Sequence, residues 1–133
     1  MPRTLFHKIR DGEAPSHTVY EDEEVLAFLD IDPATKGHTV IIPKESYENL
    51  HDTPVSVFSA LIEVAKKLSS RYVDALGADG FNIIQSTGGS AEQEIQYVHV
   101  HLIPRYEGGD FKVWHHRPED TDLELVADSI SDD

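Results

Sequence analysis

Two histidines separated by one residue, His99 and His101, are the part of the sequence best suited to chemistry. On a β-strand, residues two apart point to the same side and lie roughly 6.7 Å apart along the strand. Such a pair can supply a nucleophile and its hydrogen-bonding partner, can share a metal ion, or can be polar residues on the wet face of a strand. A shared ion needs a third or fourth ligand, which spacing alone does not identify.

The composition excludes several classes of site. The 133-residue chain has no cysteine, so disulfides, thiolate nucleophiles and zinc sites that need sulfur are excluded. It carries 25 acidic and 11 basic residues, and a net charge of −14 disfavours nucleic-acid binding. This balance is typical of halophilic proteins, in which salt screens self-repulsion, although an ordinary acidic cytosolic protein is the alternative. No membrane-spanning run or signal peptide is recognisable, so we expect a cytoplasmic protein without membrane association.

The elements that must position the two histidines follow from hydrophobic periodicity and from capping residues. A long amphipathic helix is predicted from Thr53, as N-cap, and Pro54, as the first helical residue, to Gly77. A short helix over 4–11 ends at Gly12, and strands are predicted at 18–20, 25–31, 38–42, 81–85 and 96–102. These elements predict a single α+β domain over 1–133 with a meandering antiparallel sheet, a core at about 4–114 and a mobile acidic tail at 115–133.

The last strand predicts which residues share a surface. Alternation places Tyr97 on the same side as His99 and His101, whereas the intervening residues face the core. These core-facing residues are Val98, Val100 and Leu102.

The stretch from Gln93 to Tyr106 resembles the signature of the histidine triad (HIT) family. In that family three histidines alternate with apolar residues, and two more apolar residues and often Pro-Arg follow. The segments 6–9, 20–22, 26–31 and 37–44 also stand in the family's order and spacing, so the resemblance covers about residues 4–114. It implies the HIT fold, a two-fold homodimer in which an open sheet edge is paired, and a nucleotide hydrolase without a cofactor or catalytic metal.

The resemblance also implies roles for individual residues. His99 falls on the nucleophile, which attacks the α-phosphate and forms a nucleotidyl-histidine that water hydrolyses. His101 supports the phosphate and the leaving group, and His38 approaches from a neighbouring strand. The resemblance further implies that Asp30 contacts the ribose hydroxyls and that Gln93 contacts the phosphate. Ser86, at a position where relatives often have an asparagine, and Tyr97, at the first position of the triad, are further candidate substrate contacts, although Tyr97 could instead only fill space. The apolar walls around a purine base are Leu5, Phe6, Ile9, Phe28 and Ile31. For Asp30 a turn-forming role, and for the apolar residues simple core packing, are rival explanations.

The sequence departs from the family pattern at several positions. Tyr97 replaces the first histidine of the triad, and a phenol can donate a hydrogen bond but cannot carry a positive charge. Some relatives hold a structural zinc at positions that are Thr4, His7, Tyr47 and Tyr97 here, so we predict no structural zinc. Glu92 and Glu94 stand where small or hydroxyl residues are common, and we expect them either to point away or to weaken phosphate affinity. A role in the site for His115 and His116, which follow the only tryptophan, is left open.

These considerations favour hydrolysis of a nucleoside phosphoramidate or a related AMP-like conjugate. A dinucleoside polyphosphate hydrolase is the nearest alternative. A second alternative is a nucleotide-binding module whose catalytic activity is weakened because Tyr97 replaces the first histidine. A third is a metal-binding protein that uses His99 and His101.

Overall fold

The computed structural model describes residues 2–114 and 119–131. Its helices and strands are α1 (Leu5–Arg10), β1 (Thr18–Glu21), β2 (Val25–Leu29), β3 (Thr39–Pro43), α2 (Val55–Leu76), β4 (Gly80–Ile84), β5 (Val100–Arg105) and α3 (Leu123–Ile130), with short 3₁₀ turns at Leu50–Asp52 and Gly89–Ala91. The positions His115 and His116, for which a role was left open, lie outside the described residues. Among the described residues, no helix combines the length and apolar character needed to cross a membrane.

The five strands form one antiparallel sheet in the order β1-β2-β3-β5-β4, which confirms the predicted α+β architecture. The strand β5 pairs with both β3 and β4, so the histidine-bearing strand is internal to the sheet. In this register His101 lies opposite Val40 on one side and opposite Ile84 on the other. The position of His101 is therefore fixed by pairing on both edges of its strand.

The long helix α2 covers one face of the sheet with an apolar stripe. Its buried residues are Leu61, Val64, Ala65, Leu68 and Tyr72, which pack on sheet residues that include Val100 and Leu102. Gly77 ends the helix in the left-handed conformation, as predicted. The start differs by one residue, because Pro54 is the N-cap; the Thr53 hydroxyl donates to the Asn49 carbonyl at 2.6 Å instead of capping the helix.

The opposite face of the sheet carries a smaller apolar cluster, which is covered by α1. The cluster consists of Phe6, Leu26, Phe28, Val40, Ile42 and Tyr97. A capping box between Thr4 and His7 begins α1, since the Thr4 backbone N–H donates to His7 Nδ1 at 2.9 Å and the Thr4 hydroxyl accepts from the His7 backbone N–H. The helix ends at Arg10, one residue before the predicted end.

The structure differs from the sequence prediction in two places. Regular pairing of the last strand begins at Val100 and not at Gln96, because the preceding backbone is irregular and the Val98 N–H donates to the Tyr47 carbonyl at 2.6 Å. The acidic tail, for which no helix was predicted, contains the helix α3, whose N-cap is the Asp122 side chain. This helix exposes the apolar residues Leu123, Leu125, Val126 and Ile130.

Candidate active site

His99 has one ring nitrogen fixed by the backbone. Its Nδ1 lies 2.7 Å from the Tyr97 carbonyl oxygen, and a carbonyl can only accept, so Nδ1 carries the proton. The other nitrogen, Nε2, is left with a free lone pair. Burial lowers the pKa of His99, against smaller opposing effects of the Tyr97 carbonyl and Asp30. The ring is therefore neutral near pH 7 and has the protonation state that a nucleophile requires.

The backbone also fixes the protons on His38 and His101. The Ala34 N–H donates to His38 Nδ1 at 3.0 Å, so a neutral His38 carries its proton on Nε2. That proton points to His101 Nδ1 at 2.9 Å, with Asp30 Oδ2 3.5 Å from the same His38 nitrogen. His101 must then accept at Nδ1 and carry its own proton on Nε2. The Nε2–H of His101 is therefore a donor that the hydrogen bonds among Ala34, His38 and His101 do not use.

Burial opposes a positive charge on these two rings. The pKa of His101 is lowered to about 4, first by burial and then by the nearby His99 and His38. Burial also lowers the pKa of His38, although Asp30 and Asp32 counteract part of this effect. At neutral pH, His101 therefore acts as a neutral hydrogen-bond donor and not as an imidazolium.

The three imidazoles form a compact group beside an aromatic wall. The ring centroids of His99 and His101 are 4.9 Å apart, and those of His38 and His101 are 5.0 Å apart. The Phe6 ring packs edge-on against His99 with a centroid distance of 5.0 Å. Because Phe6 belongs to α1, this helix holds the His99 ring against the sheet.

A cavity of about 410 Å³ opens in front of His99 and His101. This volume is within the range of pockets that hold small molecules and cofactors. The structure brings most of the predicted site residues to the wall of this cavity. They are Leu5, Phe6, Ile9, Phe28, Asp30, Ile31, His99 and His101.

His38 lies beside His101 and does not line the cavity. Tyr97 lies on the same face of the sheet as the two histidines, since the Phe6 ring contacts both Tyr97 and His99. Its assignment as a substrate contact requires a correction, because its side chain is fully buried, its hydroxyl donates to the Pro43 carbonyl at 2.5 Å, and it does not line the cavity. Tyr97 contributes to the site through its carbonyl, which holds His99.

Gln93 and Ser86 also stand apart from the cavity wall. The buried Gln93 amide accepts from the Gly88 N–H at 3.0 Å and donates to the carbonyls of Glu48 and Ile95 at 2.8 and 3.0 Å. All the polar atoms of this side chain are thus engaged in holding a loop. The Ser86 carbonyl accepts from the Gln85 side chain at 2.9 Å, and Ser86 does not line the cavity.

Sequence reasoning missed some of the residues at the site. Glu92 and Glu94 line the cavity, although one expectation was that they point away from it. The loop Ala14–Pro15–Ser16 also lines it, and no chemical signal in the sequence singles that loop out. Ala34 orients His38 through its backbone N–H, so its side chain gives no indication of this role in the sequence.

Asp30, His38 and His101 have donor atoms within 4.8 Å of one another, the spacing of a possible metal site. A histidine that binds a metal through Nε2 donates its Nδ1–H to an acceptor. Here the group opposite His38 Nδ1 is the Ala34 N–H, which is itself a donor. The cluster is therefore suited to a chain of hydrogen bonds and not to a metal ion.

Comparisons with known proteins agree with this architecture. The profile of the HIT domain matches residues 11–108. An uncharacterised HIT-like protein of Methanocaldococcus jannaschii is 44% identical over 126 residues, which are 95% of this chain and 97% of the relative. An adenosine 5'-monophosphoramidase of Saccharomyces cerevisiae is 40% identical over 101 residues, covering 76% of this chain and 61% of the relative.

A crystal structure from Streptococcus mutans superimposes with a TM-score of 0.82 at 42% identity, and the match covers 98% of this chain and 84% of the other. The resemblance that was identified from the residues around His99 is thereby confirmed over almost the whole chain. The profile covers well over half of the sequence, and the chain belongs to the histidine triad (HIT) family.

Proposed function

We propose that the chain hydrolyses a nucleoside phosphoramidate, or a related AMP conjugate, through a covalent intermediate on His99. The observation that carries the proposal is the free Nε2 lone pair of a neutral His99 whose Nδ1 proton is held by the Tyr97 carbonyl. His99 also lines a cavity of suitable size. The name of the yeast relative, adenosine 5'-monophosphoramidase, supports the same reaction class.

The reaction requires two displacements at phosphorus. His99 Nε2 attacks the α-phosphorus, the P–N bond breaks, and the departing nitrogen keeps the bonding pair and takes a proton from solvent. Water then attacks the same phosphorus, breaks the P–Nε2 bond and leaves AMP and the original Nδ1–H form of His99. The Nε2–H of His101 donates to a phosphate oxygen or to the departing nitrogen as charge develops there.

The cavity wall supplies contacts for a nucleoside. Phe6, Phe28 and Ile31 belong to the apolar wall that would contact the base. Asp30 Oδ1 accepts from the Asp32 N–H at 2.9 Å, and the carboxylate retains lone pairs that can accept from ribose hydroxyls. This arrangement supports an AMP-like ligand.

The position of Tyr97 argues for the enzyme over the weakened binding module. The phenol lies in the apolar cluster behind the site, and its hydroxyl is satisfied by the Pro43 carbonyl. The substitution leaves the ring of His99 and its Nδ1 hydrogen bond intact. Loss of the first histidine therefore does not remove a group that must touch the reacting phosphorus.

The test is release of AMP from adenosine 5'-phosphoramidate, followed by chromatography. The wild-type protein should release AMP, His99→Ala should abolish release, and the exposed control His51→Ala should match the wild type. Rapid acid quenching and mass spectrometry should locate a nucleotide adduct on His99. Tight AMP binding without turnover favours the binding module instead, and an adduct on another residue contradicts the mechanism.

We also propose a two-fold dimer in which the edge strand β4 is covered. One outer strand, β1, is interrupted by an irregularity between Thr18 and Tyr20, which discourages pairing. The other, β4, is regular and exposes 49% of Ile83. Sedimentation should give a dimer for the wild type and a monomer for Ile83→Lys, and a monomeric wild type would contradict the proposal.

A further inference from the structure

The cavity has an unusual charge for one that should hold a phosphate. Three acidic residues line it, Asp30, Glu92 and Glu94, and none of the described residues in its wall is a lysine or an arginine. Phosphate sites commonly pair the anion with arginine or lysine. A phosphate bound in this cavity would therefore be held by neutral donors, in the field of three acidic residues.

The loop around Gln93 explains why both glutamates face the cavity. The buried Gln93 side chain is held by Gly88, Glu48 and Ile95, so the residue is anchored on the protein side of the loop. Its exposed neighbours Glu92 and Glu94 both line the cavity. The Gln93 side chain thus anchors a loop that places two glutamates in the wall of the cavity that His99 also lines.

Neither glutamate is neutralised by the protein. Among the described residues, the ion pairs involve other acidic side chains, and neither Glu92 nor Glu94 takes part in one. Because both side chains are exposed, they remain available to a ligand. Their field repels a chain of phosphates and attracts a cation.

The residues that line the cavity indicate which part of a substrate meets this field. The apolar wall from α1 and β2 suits a base, and Asp30 suits the ribose. The α-phosphorus must approach His99 Nε2. Glu92 and Glu94 then remain for the group on the far side of the phosphorus, which is the leaving group.

We propose that Glu92 and Glu94 select AMP conjugates whose leaving amine carries a second, positively charged nitrogen. This inference rests on the proposed function. The preferred substrate class is AMP joined by a P–N bond to one end of an alkyl diamine, with an ammonium at the other end. Cleavage of the P–N bond releases the diamine after one proton is taken up, and the distal ammonium is unchanged. Dinucleoside polyphosphates are disfavoured by the same two carboxylates.

The experiment compares three AMP phosphoramidates of equal chain length that end in an ammonium, a neutral acetamide or a carboxylate. At low salt, kcat/KM should fall in that order, by about fivefold at each step, as expected for exposed charge pairs. The differences should shrink in 1 M salt, where the Debye length is about 3 Å. Equal kcat/KM values for the three conjugates would overturn the proposal.

Two double variants separate the local field from the net charge. The variant Glu92→Gln/Glu94→Gln should remove the ranking, so that the three conjugates react at similar rates. The control Glu23→Gln/Glu24→Gln changes the net charge by the same amount at a separate surface depression and should keep the ranking. A ranking that survives in the first variant, or disappears in the second, contradicts the assignment.

Failure of the proposed function can be told apart from failure of this inference. If no conjugate is cleaved, the proposed reaction is wrong. Calorimetric binding of the three conjugates to His99→Ala then measures the charge preference without turnover. The same order of affinities supports a cation-selective cavity, and equal affinities refute it.

Discussion

Replacement of His101 by glutamine should make the protein less sensitive to acid. A glutamine amide can accept from His38 Nε2–H as the imidazole does, but it does not titrate. In the wild type, burial and the neighbouring imidazoles lower the pKa of His101 from its ordinary value of 6.5 to about 4. The variant therefore isolates the free-energy cost of protonating this ring in the folded state.

The size and direction of the effect follow from the two pKa values. Above about pH 6.5 the ring is neutral in both the folded and the unfolded chain, so it adds no pH dependence. Between about pH 6.5 and 4 the unfolded chain binds the proton first, and the folded state loses stability as the pH falls. At 1.36 kcal/mol for each pH unit, the full loss is about 3 kcal/mol, reached below about pH 4.

Urea denaturation at fixed salt, at pH 7.0, 5.5 and 4.5, measures this difference. The free energy of unfolding of the wild type should fall by about 2 to 3 kcal/mol more than that of His101→Gln over this interval. The exposed His17→Gln should behave as the wild type does. Parallel curves for the wild type and His101→Gln would refute the argument that burial holds this ring neutral.

Further variants and conditions test the surrounding structure, each by urea or thermal denaturation. Tyr97→Phe removes the hydrogen bond to the Pro43 carbonyl and should lower the free energy of unfolding by about 1 to 2 kcal/mol. Tyr20→Phe loses only an exposed contact and should lower it by less than about 0.5 kcal/mol. Equal losses would contradict the buried position of Tyr97. Gly37→Ala should lower the free energy of unfolding by about 1 to 3 kcal/mol, because φ is +90° and a Cβ would lie 2.6 Å from Leu76 Cδ1. An unchanged stability would contradict that packing. If the charge of −14 reflects adaptation to salt, the melting temperature should rise from low to molar salt, and a fall would contradict it.

Much of the fold could be predicted because side-chain periodicity records burial directly. The stripe from Leu61 to Tyr72 has helical spacing, and Val100 and Leu102 alternate with His101 as a strand requires. The helix α3 was not predicted, since its short apolar pattern lies in an acidic segment and the described residues leave it exposed. Such a pattern does not distinguish a short helix from an unstructured tail.

The candidate site could be predicted where side-chain chemistry carries the role. His99 and His101 are recognisable by type and spacing, and Asp30 by the family resemblance, and the structure places all three on one cavity. Tyr97 and Gln93 were assigned to the substrate because a sequence does not reveal whether a polar atom already has a partner. In the folded chain, backbone carbonyls satisfy the Tyr97 hydroxyl and the Gln93 NH₂ group.

The hydrogen bond from the Ala34 amide to His38 has a consequence for how this loop can vary. Because the donor is main chain, the methyl group of Ala34 is irrelevant to it, and most substitutions at position 34 preserve the bond. Proline is the exception, since it has no N–H to give. Position 34 therefore tolerates most side chains but not proline. A sequence comparison that scores only the chemical similarity of side chains at this position would overlook the backbone N–H that determines which nitrogens of His38 and His101 carry protons.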